Sequence, residues 1–372
     1  MKVALVSRRY PPLIGGAERV LSYLGPALAD CGLDVTVLTS RLDDSPPVEV
    51  AQVGSRSFRV ERLSTSRLRF VGTWLYVREL TRWFARNRVD LAYVSMLKHD
   101  AYAVVGASER WGFPSVLRPE GAGATGDVAW QSWGRFGRRI ARRCRRADAF
   151  VAISPAVRRE LEADGYDPSK IHDLPNGVPI PLTPWANPGG SLQAAFVGRL
   201  SPEKGLDTLI NAWPTVLDQI PDARLTLVGE GPERPRLEAL IGELGLGAAV
   251  ALPGASPDPS VTLRRSNLFV LASREEGMSI ALLEAMALGI PAVASDIAGN
   301  RALVDSGAHG RLAPPNDPPA LARAIVAHHL DPEAEAMARA ARARVEAQYS
   351  IAAVARRHVA LFERLVDPGP IG

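Results

Sequence analysis

The sequence predicts an α/β protein built from two parallel sheets in tandem, and three observations support this. The chain has 372 residues, about the length of two ordinary domains, and its hydrophobic content of 47% is enough for a core in each. Short apolar runs alternate with helical patterns, as in parallel sheets with crossover helices. A stretch rich in proline and glycine interrupts this alternation near the middle of the chain.

The first half begins with an apolar run and continues with alternating strand and helix patterns. Helices are predicted over roughly 16–31 and near 99–111, and another follows the last strand and closes near 174–178. Strands are predicted at 2–7, 34–40, 90–96, 115–121 and 149–154.

A linker is predicted at 179–190, PIPLTPWANPGG, which holds four prolines and two glycines. The pattern then restarts, with strands expected at 192–200, 224–231, 249–254, 268–273 and 291–296. We therefore expect domains at 1–182 and 183–350. The last helical stretch, 351–366, follows a break around 348–350 and is expected to fold back onto the first domain.

Composition indicates a cytoplasmic protein. The two cysteines, Cys31 and Cys144, suit a reducing compartment and provide no disulfide or metal framework. The N-terminal stretch 1–12 is charged too early for a signal peptide, and no stretch approaches the roughly 20 apolar residues of a membrane span.

The charge is distributed unevenly between the two halves. Residues 1–183 hold 27 Lys and Arg against 19 Asp and Glu, whereas residues 184–372 hold 17 against 21. The basic first half therefore predicts an anionic partner.

Charged side chains follow several predicted strands of the second half. Arg199 and Lys204 lie in GRLSPEKG, 198–205, and Glu230 lies in GEGP, 229–232. Glu276 and Glu284 lie in REEGMSIALLEAMALG, 274–289. Ligands of doubly wound sheets bind beyond the carboxyl ends of the strands, so these residues are expected at one binding edge.

The residue types in these loops favour a nucleotide that carries a further group on its phosphates. Arg199 and Lys204 can hold an anion, and a helix that starts near Ser279 offers free N–H groups and a dipole to a phosphate. Glu284, inside that helix, can accept both hydroxyls of a ribose, while Glu276 in the loop can reach whatever the phosphates carry. Taken singly, either glutamate is better explained as a partner of the helix dipole. The charged loops at 198–205 and 229–232, which also follow strands, favour ligand binding instead.

Together these motifs resemble those of glycosyltransferase family 4, retaining enzymes of the two-lobed GT-B type. EEGMSIALLEAMALGIPAVASDIAGN, 275–300, is similar to the E-x7-E signature, and 198–205 is similar to the donor-diphosphate loop. GGAERV, 15–20, resembles the N-terminal glycine loop, and LPNGV, 174–178, resembles the interdomain strand end. The resemblance covers nearly the whole chain. It implies two Rossmann-like domains that face a central cleft, with the acceptor on the first and the donor on the second.

The resemblance also implies a role for each matching residue. Arg199 and Lys204 would hold the diphosphate and stabilise the leaving group, and Glu276 would contact the donor sugar. Glu284 would bind the ribose, and Glu230 would lie near the nucleoside. Gly15 and Gly16 would let the backbone approach the phosphate from the other lobe. The remaining donor-binding positions would be Gly198, Gly277, Met278, Ser279 and Ile280.

The implied reaction moves a sugar from a UDP- or GDP-sugar to a glycan, a lipid-linked molecule or a small molecule, with retention at the anomeric carbon. Such a role belongs to the synthesis of cell-surface polysaccharides or glycoconjugates. The departing phosphate can itself take the acceptor's proton, which removes the need for a strong protein base. No Asp-x-Asp occurs in the sequence, so no metal and no cofactor are expected.

One position departs from the family pattern. Many relatives carry a histidine in the cleft after the strand near 115–120, where this chain has Glu120 in VLRPEGAGATGD. Glu120 can steady a developing oxocarbenium ion or orient the acceptor hydroxyl, or it can form a plain salt bridge with Arg118. His99, at the start of a helix after a strand, is a further candidate for the acceptor pocket, and Arg118 is a third.

The segment RFGRRIARRCRR, 135–146, predicts a helix with one basic face. The arginines of that face would be Arg135, Arg138, Arg139, Arg142, Arg143 and Arg146, and Phe136, Ile140, Cys144 and Ala147 would lie opposite. An anionic membrane suits this face better than nucleic acid, because no base-reading motif accompanies it. The segment 67–88, with Trp74, Tyr76 and Trp83, is expected to add interfacial contacts. The alternative is a solvated helix.

Other histidines are expected to be structural. His328 and His329 are adjacent on a helix that we expect near solvent, and His172 is expected at a strand edge. No metal-ligand spacing is present.

Three other functions compete with glycosyl transfer. The alternatives are an epimerase of the same fold, against which the E-x7-E pattern argues, and a non-catalytic nucleotide-sugar-binding partner of another transferase. The presence of Arg199, Lys204, Glu276 and Glu284 argues against the second. A dehydrogenase is disfavoured, because no G-x-G-x-x-G follows a strand.

Overall fold

The computed structural model describes residues 1–12, 15–41, 45–53, 56–66 and 68–367. The chain forms two compact units. Unit 1 is Met1–Gly177 together with the C-terminal segment from Ile351, and unit 2 is Val178–Ser350. The division between the units thus lies five residues before the boundary at 182 and 183 that the linker suggested.

Unit 1 is built on a sheet with helices between its strands. The strands are β1 (Lys2–Val6), β2 (Asp34–Ser40), β3 (Val48–Val53), β4 (Arg56–Leu63), β5 (Leu91–Ser95), β6 (Ser115–Arg118), β7 (Ala149–Ala152) and β8 (Ile171–Asp173). The helices are α1 (Gly16–Asp30), α2 (Arg69–Arg86), α3 (His99–Trp111), α4 (Asp127–Trp133), α5 (Gly137–Cys144) and α6 (Pro155–Ala163).

The sheet of unit 1 has the strand order β3-β4-β2-β1-β5-β6-β7-β8. Its neighbours are parallel except β3 and β4, which pair antiparallel. The chain leaves β1 toward β2 and returns to place β5 on the other side of β1, so the strand order reverses between β1 and β5. Loops after those two strands therefore flank the switch point at which doubly wound sheets bind ligands.

Unit 2 has a smaller sheet. Its strands are β9 (Gln193–Val197), β10 (Arg224–Val228), β11 (Val250–Gly254), β12 (Leu268–Leu271), β13 (Ala292–Ser295) and β14 (Arg311–Ala313). The helices that follow α6 are α7 (Leu206–Gln219), α8 (Arg234–Glu243), α9 (Ser260–Arg265), α10 (Ile280–Leu288), α11 (Ala298–Arg301), α12 (Pro318–His329), α13 (Ala334–Gln348) and, in unit 1, α14 (Ile351–Val366). Helix α14 packs on α1.

The second sheet is parallel throughout and has the order β11-β10-β9-β12-β13-β14. Strands β12 and β13 are buried along their whole length, which explains why they read as unbroken apolar runs. The order reverses between β9 and β12. The loops after these two strands are the ones that carry Arg199, Lys204 and Glu276.

Two elements depart from the sequence expectation. The antiparallel hairpin of β3 and β4 was not predicted, since only parallel strands were expected. The short edge strand β14 was not predicted either. His328 was expected near solvent, but its residue is only 1% exposed, because it lies on the face of α12 that packs inward with Leu321 and Ile325.

The expected faces of two helices in unit 1 also need correction. Helix α5 begins at Gly137, and Phe136 before it has a φ of 62°, so its side chain leaves the buried face and is exposed. In α2, Tyr76 is fully buried, and Trp83 is half-buried with its Nε1 donating to Glu61 at 2.9 Å. Of the three aromatic residues expected at an interface, only Trp74 is exposed.

In the described part of the chain, no helix combines the length and the apolar character that crossing a bilayer requires.

Candidate functional site

The candidate site of unit 2 lies where β9 and β12 end. After β9 the chain runs through Gly198 and Arg199 into a 3-10 turn, Pro202–Lys204, that ends at Gly205. The side chain of Arg199 is exposed and makes no hydrogen bond or ion pair with the residues that the structure describes, although its carbonyl accepts from the N–H of Ser201 at 3.1 Å. An exposed guanidinium without an ion-pair partner at a switch point can bind an anion.

Lys204 and Glu276 meet across the two loops. The Nζ of Lys204 lies 2.7 Å from Oε1 of Glu276, and the same oxygen accepts a hydrogen bond of 2.8 Å from the Ser273 hydroxyl. The lysine side chain is 21% exposed and the glutamate 9%, so the pair is largely shielded from water. The site thus has one cation held in place and one carboxylate fixed by two donors.

Ser273 is in turn held in place by hydrogen bonds from further buried polar groups. The Ser295 hydroxyl, at the end of β13, donates to the carbonyl of Ser273. Asn300, in α11, donates from Nδ2 to the Ser295 carbonyl at 2.9 Å. Ser273, Ser295 and Asn300 are all buried, so the strand end that carries Glu276 is rigidly supported.

The backbones of the two loops lie against each other, and glycine makes this possible. Gly205 has a φ of 60°, and a Cβ there would lie 2.2 Å from the carbonyl oxygen of Ala272. A side chain at 205 would force the two loops apart and would move Lys204 away from Glu276.

Arg274 ties the same loops together through its side chain. It donates from Nη2 to both carboxylate oxygens of Asp207, at 2.7 and 2.9 Å, and from Nε to Asn316 at 2.6 Å. Burial opposes ionisation of Asp207, but the hydrogen bond and charge of Arg274 hold the pKa of that carboxyl below its usual value. The sequence analysis did not identify Arg274 or Asp207. Two features could have indicated them: Arg274 directly precedes Glu275 and Glu276, and Asp207 lies in the first turn of a helix.

Helix α10 begins at Ile280, four residues after Glu276. Ser279 is its N-cap, with the hydroxyl accepting from the N–H of Leu282 at 3.4 Å, and Glu284 is half-buried in the second turn. The other predicted phosphate-lining positions, which are buried, are Gly277, Met278 and Ile280. The helix start therefore presents N–H groups at the switch point, next to the Lys204–Glu276 pair.

Glu230 lies elsewhere. Its carboxylate is exposed and pairs with Arg234 at 2.8 Å. Its carbonyl accepts from the N–H of Leu200 at 2.9 Å, which connects the end of β10 to the loop after β9. The structure records no contact between Glu230 and the Lys204–Glu276 pair.

Unit 1 has a buried ionic network at the ends of β5 and β6. The guanidinium of Arg118, only 2% exposed, forms a salt bridge with Glu120 and donates to Asn176. The Ser95 hydroxyl also donates to Glu120, and the N–H of Glu120 donates to Asp127 at 2.7 Å. The salt bridge that the sequence offered as one reading of Glu120 is therefore present.

Two carboxyl groups of this network have pKa values above their usual range. Burial raises the pKa of Glu120, although the charge and hydrogen bond of Arg118 act against it. Burial likewise raises the pKa of Asp127, against the charge of Lys98. The side chain of Glu120 remains 13% exposed, so it can still meet a ligand.

His99 and the glycine loop also lie at the switch point of unit 1. His99 begins α3 after β5 and stacks edge-on against Trp130, and burial lowers the pKa of its imidazole. Gly15 precedes α1, and a Cβ on it would meet the Glu18 carboxylate at 2.2 Å. A Cβ on Gly16 would meet nothing within 4 Å, so this backbone is open to a ligand.

The described residues contain no cluster of three or more His, Cys, Asp or Glu side chains able to hold a metal ion.

Two doubly wound units, each with its polar residues at a switch point, define the GT-B class of glycosyltransferases. Residues 14–180 match the sequence model of Glycosyltransferase Family 4, and residues 183–344 match that of Glycosyl transferases group 1. The chain belongs to this family of GT-B glycosyltransferases.

Curated relatives carry the names of several different enzymes. An exopolysaccharide phosphotransferase of Streptomyces coelicolor is 36% identical over 48% of this chain and 19% of its own length. An alpha-D-kanosaminyltransferase of Streptomyces kanamyceticus is 34% identical over 46% of this chain and 45% of its own length. The matched region thus spans less than half the length of these two relatives. A glycogen synthase of Mycobacterium tuberculosis is 28% identical over 95% of this chain and 92% of its own length.

Solved structures share the fold along the whole chain. Sucrose-phosphate synthase from Thermosynechococcus elongatus is 25% identical and superposes with a TM-score of 0.86 over 99% of this chain and 100% of that one. Anabaena HepE, solved with UDP and glucose, is 21% identical, with a TM-score of 0.81 over 98% of this chain and 100% of that one.

Proposed function

We propose that this chain is a retaining glycosyltransferase that moves a sugar from a nucleoside-diphosphate sugar to an acceptor in the synthesis of a cell-surface polysaccharide or glycoconjugate. The acceptor is a glycan, a lipid-linked molecule or a small molecule. The observation that carries the proposal is the meeting of Lys204, Glu276 and the start of α10 at the switch point of unit 2.

Different residues of unit 2 bind different parts of the donor. Arg199 and Lys204 bind the diphosphate, and the N–H groups at the start of α10 share its negative charge. Glu276 accepts hydrogen bonds from sugar hydroxyls, and Glu284 accepts from the ribose. UDP-glucose is the first donor to test, because HepE was crystallised with it.

The chemistry follows from charge separation. Cleavage of the sugar–phosphate bond leaves negative charge on the diphosphate and positive charge on the sugar. The preorganised cations and N–H dipoles stabilise the first, and the Glu276 carboxylate, held by two donors, orients the second. The departing phosphate accepts the proton of the acceptor hydroxyl, which places the new bond on the face that the phosphate left and gives retention.

Unit 1 supplies the acceptor side of the reaction. Glu120 is held by Arg118 and Ser95 but keeps an exposed edge, so it can orient an acceptor hydroxyl. His99, with a lowered pKa, is a neutral imidazole at neutral pH and can accept or donate a hydrogen bond.

Donor hydrolysis and transfer test the proposal directly. Purified protein is incubated with UDP-glucose, and UDP release is followed with and without candidate acceptors. Proton NMR of the product reads the anomeric configuration. An axial linkage from this axial donor is expected, and an inverted product would overturn the retaining mechanism. If no nucleotide-sugar supports UDP or GDP release although UDP binds, the non-catalytic binding partner becomes the better description.

Metal independence is a separate part of the proposal. It is motivated by the missing Asp-x-Asp and by the cations that already face the diphosphate position. The rate in excess EDTA should equal the rate without it, and a loss that only Mg²⁺ or Mn²⁺ restores would contradict it.

A further inference from the structure

The exposed aromatic side chains of this protein are gathered in one place. Among the described residues, all exposed phenylalanine and tryptophan side chains lie in unit 1 on α2 and around the α4–α5 connection. They are Phe70 at 64%, Trp74 at 60%, Trp133 at 68% and Phe136 at 59% exposure, and we call them the aromatic patch. Burying large aromatic surface is favourable, so such a concentration calls for an occupant.

Helix α2 presents its two patch residues on one stripe. Phe70 and Trp74 are four residues apart and face outward together, while Tyr76, Leu80 and Phe84 form the buried stripe of the same helix. Leu68 at the N-cap, 68% exposed, extends the outward surface.

The α4–α5 connection supplies the other two. Trp133 is the last residue of α4, and Phe136 stands before α5 with its left-handed backbone. The guanidinium of Arg135 lies 4.5 Å from the ring centre of Phe70 and 5.1 Å from that of Phe136, which joins the two parts of the patch.

A cavity of about 480 Å³ opens between these helices. The four patch residues line it, together with the apolar and aromatic side chains of Val77, Tyr102, Trp130 and Ile140. Thr73, His99, Arg135 and Arg139 add polar groups to the lining. This volume and lining suit an aliphatic chain better than a polar ligand.

The charge around the patch has one sign. Residues 128–147 contain seven arginines and no Asp or Glu, and 68–78 likewise contain no acid. Arg138 and Arg142 are exposed and make no ion pair with any described residue. Arg146, by contrast, is paired with Glu109 at 2.9 Å and contributes little.

We propose that the aromatic patch docks on an anionic phospholipid bilayer, with its rings at the level of the headgroups and Arg138 and Arg142 facing the lipid phosphates. Exposed tryptophan and phenylalanine side chains next to arginines have the composition of an interfacial contact. The surface is thus broader than the arginine face of 135–146 alone. The inference does not depend on glycosyl transfer.

Vesicle co-sedimentation with matched variants tests this surface. Wild-type protein should partition onto phosphatidylcholine vesicles that contain phosphatidylglycerol and bind weakly to pure phosphatidylcholine. Arg138→Glu with Arg142→Glu should lower the partition coefficient by about tenfold or more. Arg323→Glu with Arg356→Glu makes the same change of net charge at exposed positions elsewhere and should lower it much less.

Insertion of the rings is tested separately from charge. Phe70→Ser with Trp133→Ser should weaken binding to anionic vesicles by a similar factor, whereas Leu182→Ser with Leu330→Ser, two fully or largely exposed leucines, should not. Brominated lipids should quench tryptophan fluorescence in wild-type protein, and Trp74→Ser with Trp133→Ser should remove most of the quenching. Circular dichroism confirms that each variant is folded.

Several results would overturn the proposal. Equal binding to neutral and anionic vesicles, or equal losses in the patch variants and their controls, would reduce the effect to nonspecific attraction of a basic protein. Displacement from vesicles by single-stranded RNA at equal phosphate concentration, with no lipid quenching, would assign the patch to nucleic acid. A dimer that Phe70→Ser with Trp133→Ser dissociates would assign it to a second copy of the chain.

Discussion

Replacing Lys204 by alanine separates two contributions that this residue makes. In the free protein, Lys204 is 2.7 Å from Glu276, and its loss leaves the Glu276 carboxylate, 9% exposed, with Ser273 as its recorded donor. A partly unsatisfied buried group of this kind costs about 1–3 kcal/mol of unfolding free energy. On the role proposed for Lys204, the variant would also lack a charge-assisted contact with the diphosphate of a bound nucleotide.

The expected loss of affinity follows from the same energies. A hydrogen bond to a charged group contributes about 1.5–3 kcal/mol, which corresponds to roughly 10- to 150-fold in the dissociation constant of UDP. On the proposed role, Lys204 exchanges part of its contact with Glu276 for one with phosphate, so we expect the lower part of this range. Arg199→Ala should weaken UDP by a similar factor but change the unfolding free energy by only about 0.5 kcal/mol or less, because Arg199 has no partner among the described residues.

Glu276→Gln tests the assigned roles, because it should affect UDP binding and sugar transfer differently. It releases Lys204 from its ion pair, so UDP, which has no sugar, should bind as well as before or more tightly. Transfer from UDP-glucose should fall by about a hundredfold or more, since the carboxylate that orients the sugar is gone.

Isothermal titration with UDP and urea unfolding provide both quantities for each variant. Lys170→Ala, a lysine of unit 1 whose Nζ donates to the Ala147 carbonyl, is the matched control and should leave UDP affinity unchanged. A dissociation constant for Lys204→Ala within twofold of wild type would refute the assignment of this lysine to the diphosphate.

Three further predictions concern backbone, buried charge and pH. Gly205→Ala should lower the unfolding free energy by about 1–3 kcal/mol and weaken UDP, because its φ of 60° and the nearby Ala272 carbonyl leave no place for a Cβ; urea unfolding and titration check this. Arg118→Met should destabilise unit 1 by about 3–5 kcal/mol in urea, because it leaves Glu120 buried without its cation, and an unchanged midpoint would contradict it. Burial lowers the pKa of His328 to about 4. As pH falls, the unfolded chain therefore binds a proton at this histidine before the folded protein does. The folded protein keeps its full stability above pH 6.5 and loses part of it as pH falls toward 4. His328→Leu should flatten that dependence, on the order of 3 kcal/mol in unfolding free energies measured across this range.

The strand ends could be predicted from sequence because they depend on short-range patterns. An apolar run followed by glycine and charge marks the end of a buried parallel strand, and this placed Arg199, Lys204 and Glu276 in the loops after β9 and β12. The contact of Lys204 with Glu276 is a different matter. It joins residues 72 positions apart, and it depends on which strands are neighbours, which no local pattern states.

The errors have local physical causes. A helical pattern drawn over 135–146 assumed a helix that begins before Gly137, but Phe136 takes a left-handed backbone and turns its ring outward. In α2, Trp74 and Tyr76 are two residues apart and so point to different sides of the helix, which puts one in solvent and the other in the core. His328 was expected near solvent together with its neighbour His329, whereas its position on the inward face of α12 buries it.

The pairing of Lys204 with Glu276 has a consequence for ligand discrimination. A free inorganic phosphate that takes Lys204 leaves the Glu276 carboxylate short of a donor, so part of the binding energy is lost again. On the proposed roles, a sugar diphosphate replaces both halves of the pair: its phosphate receives the lysine, and its hydroxyls donate to the glutamate. On these roles, we expect the site to bind abundant simple anions weakly and to prefer a molecule that carries both an anion and a hydroxyl donor at the right separation.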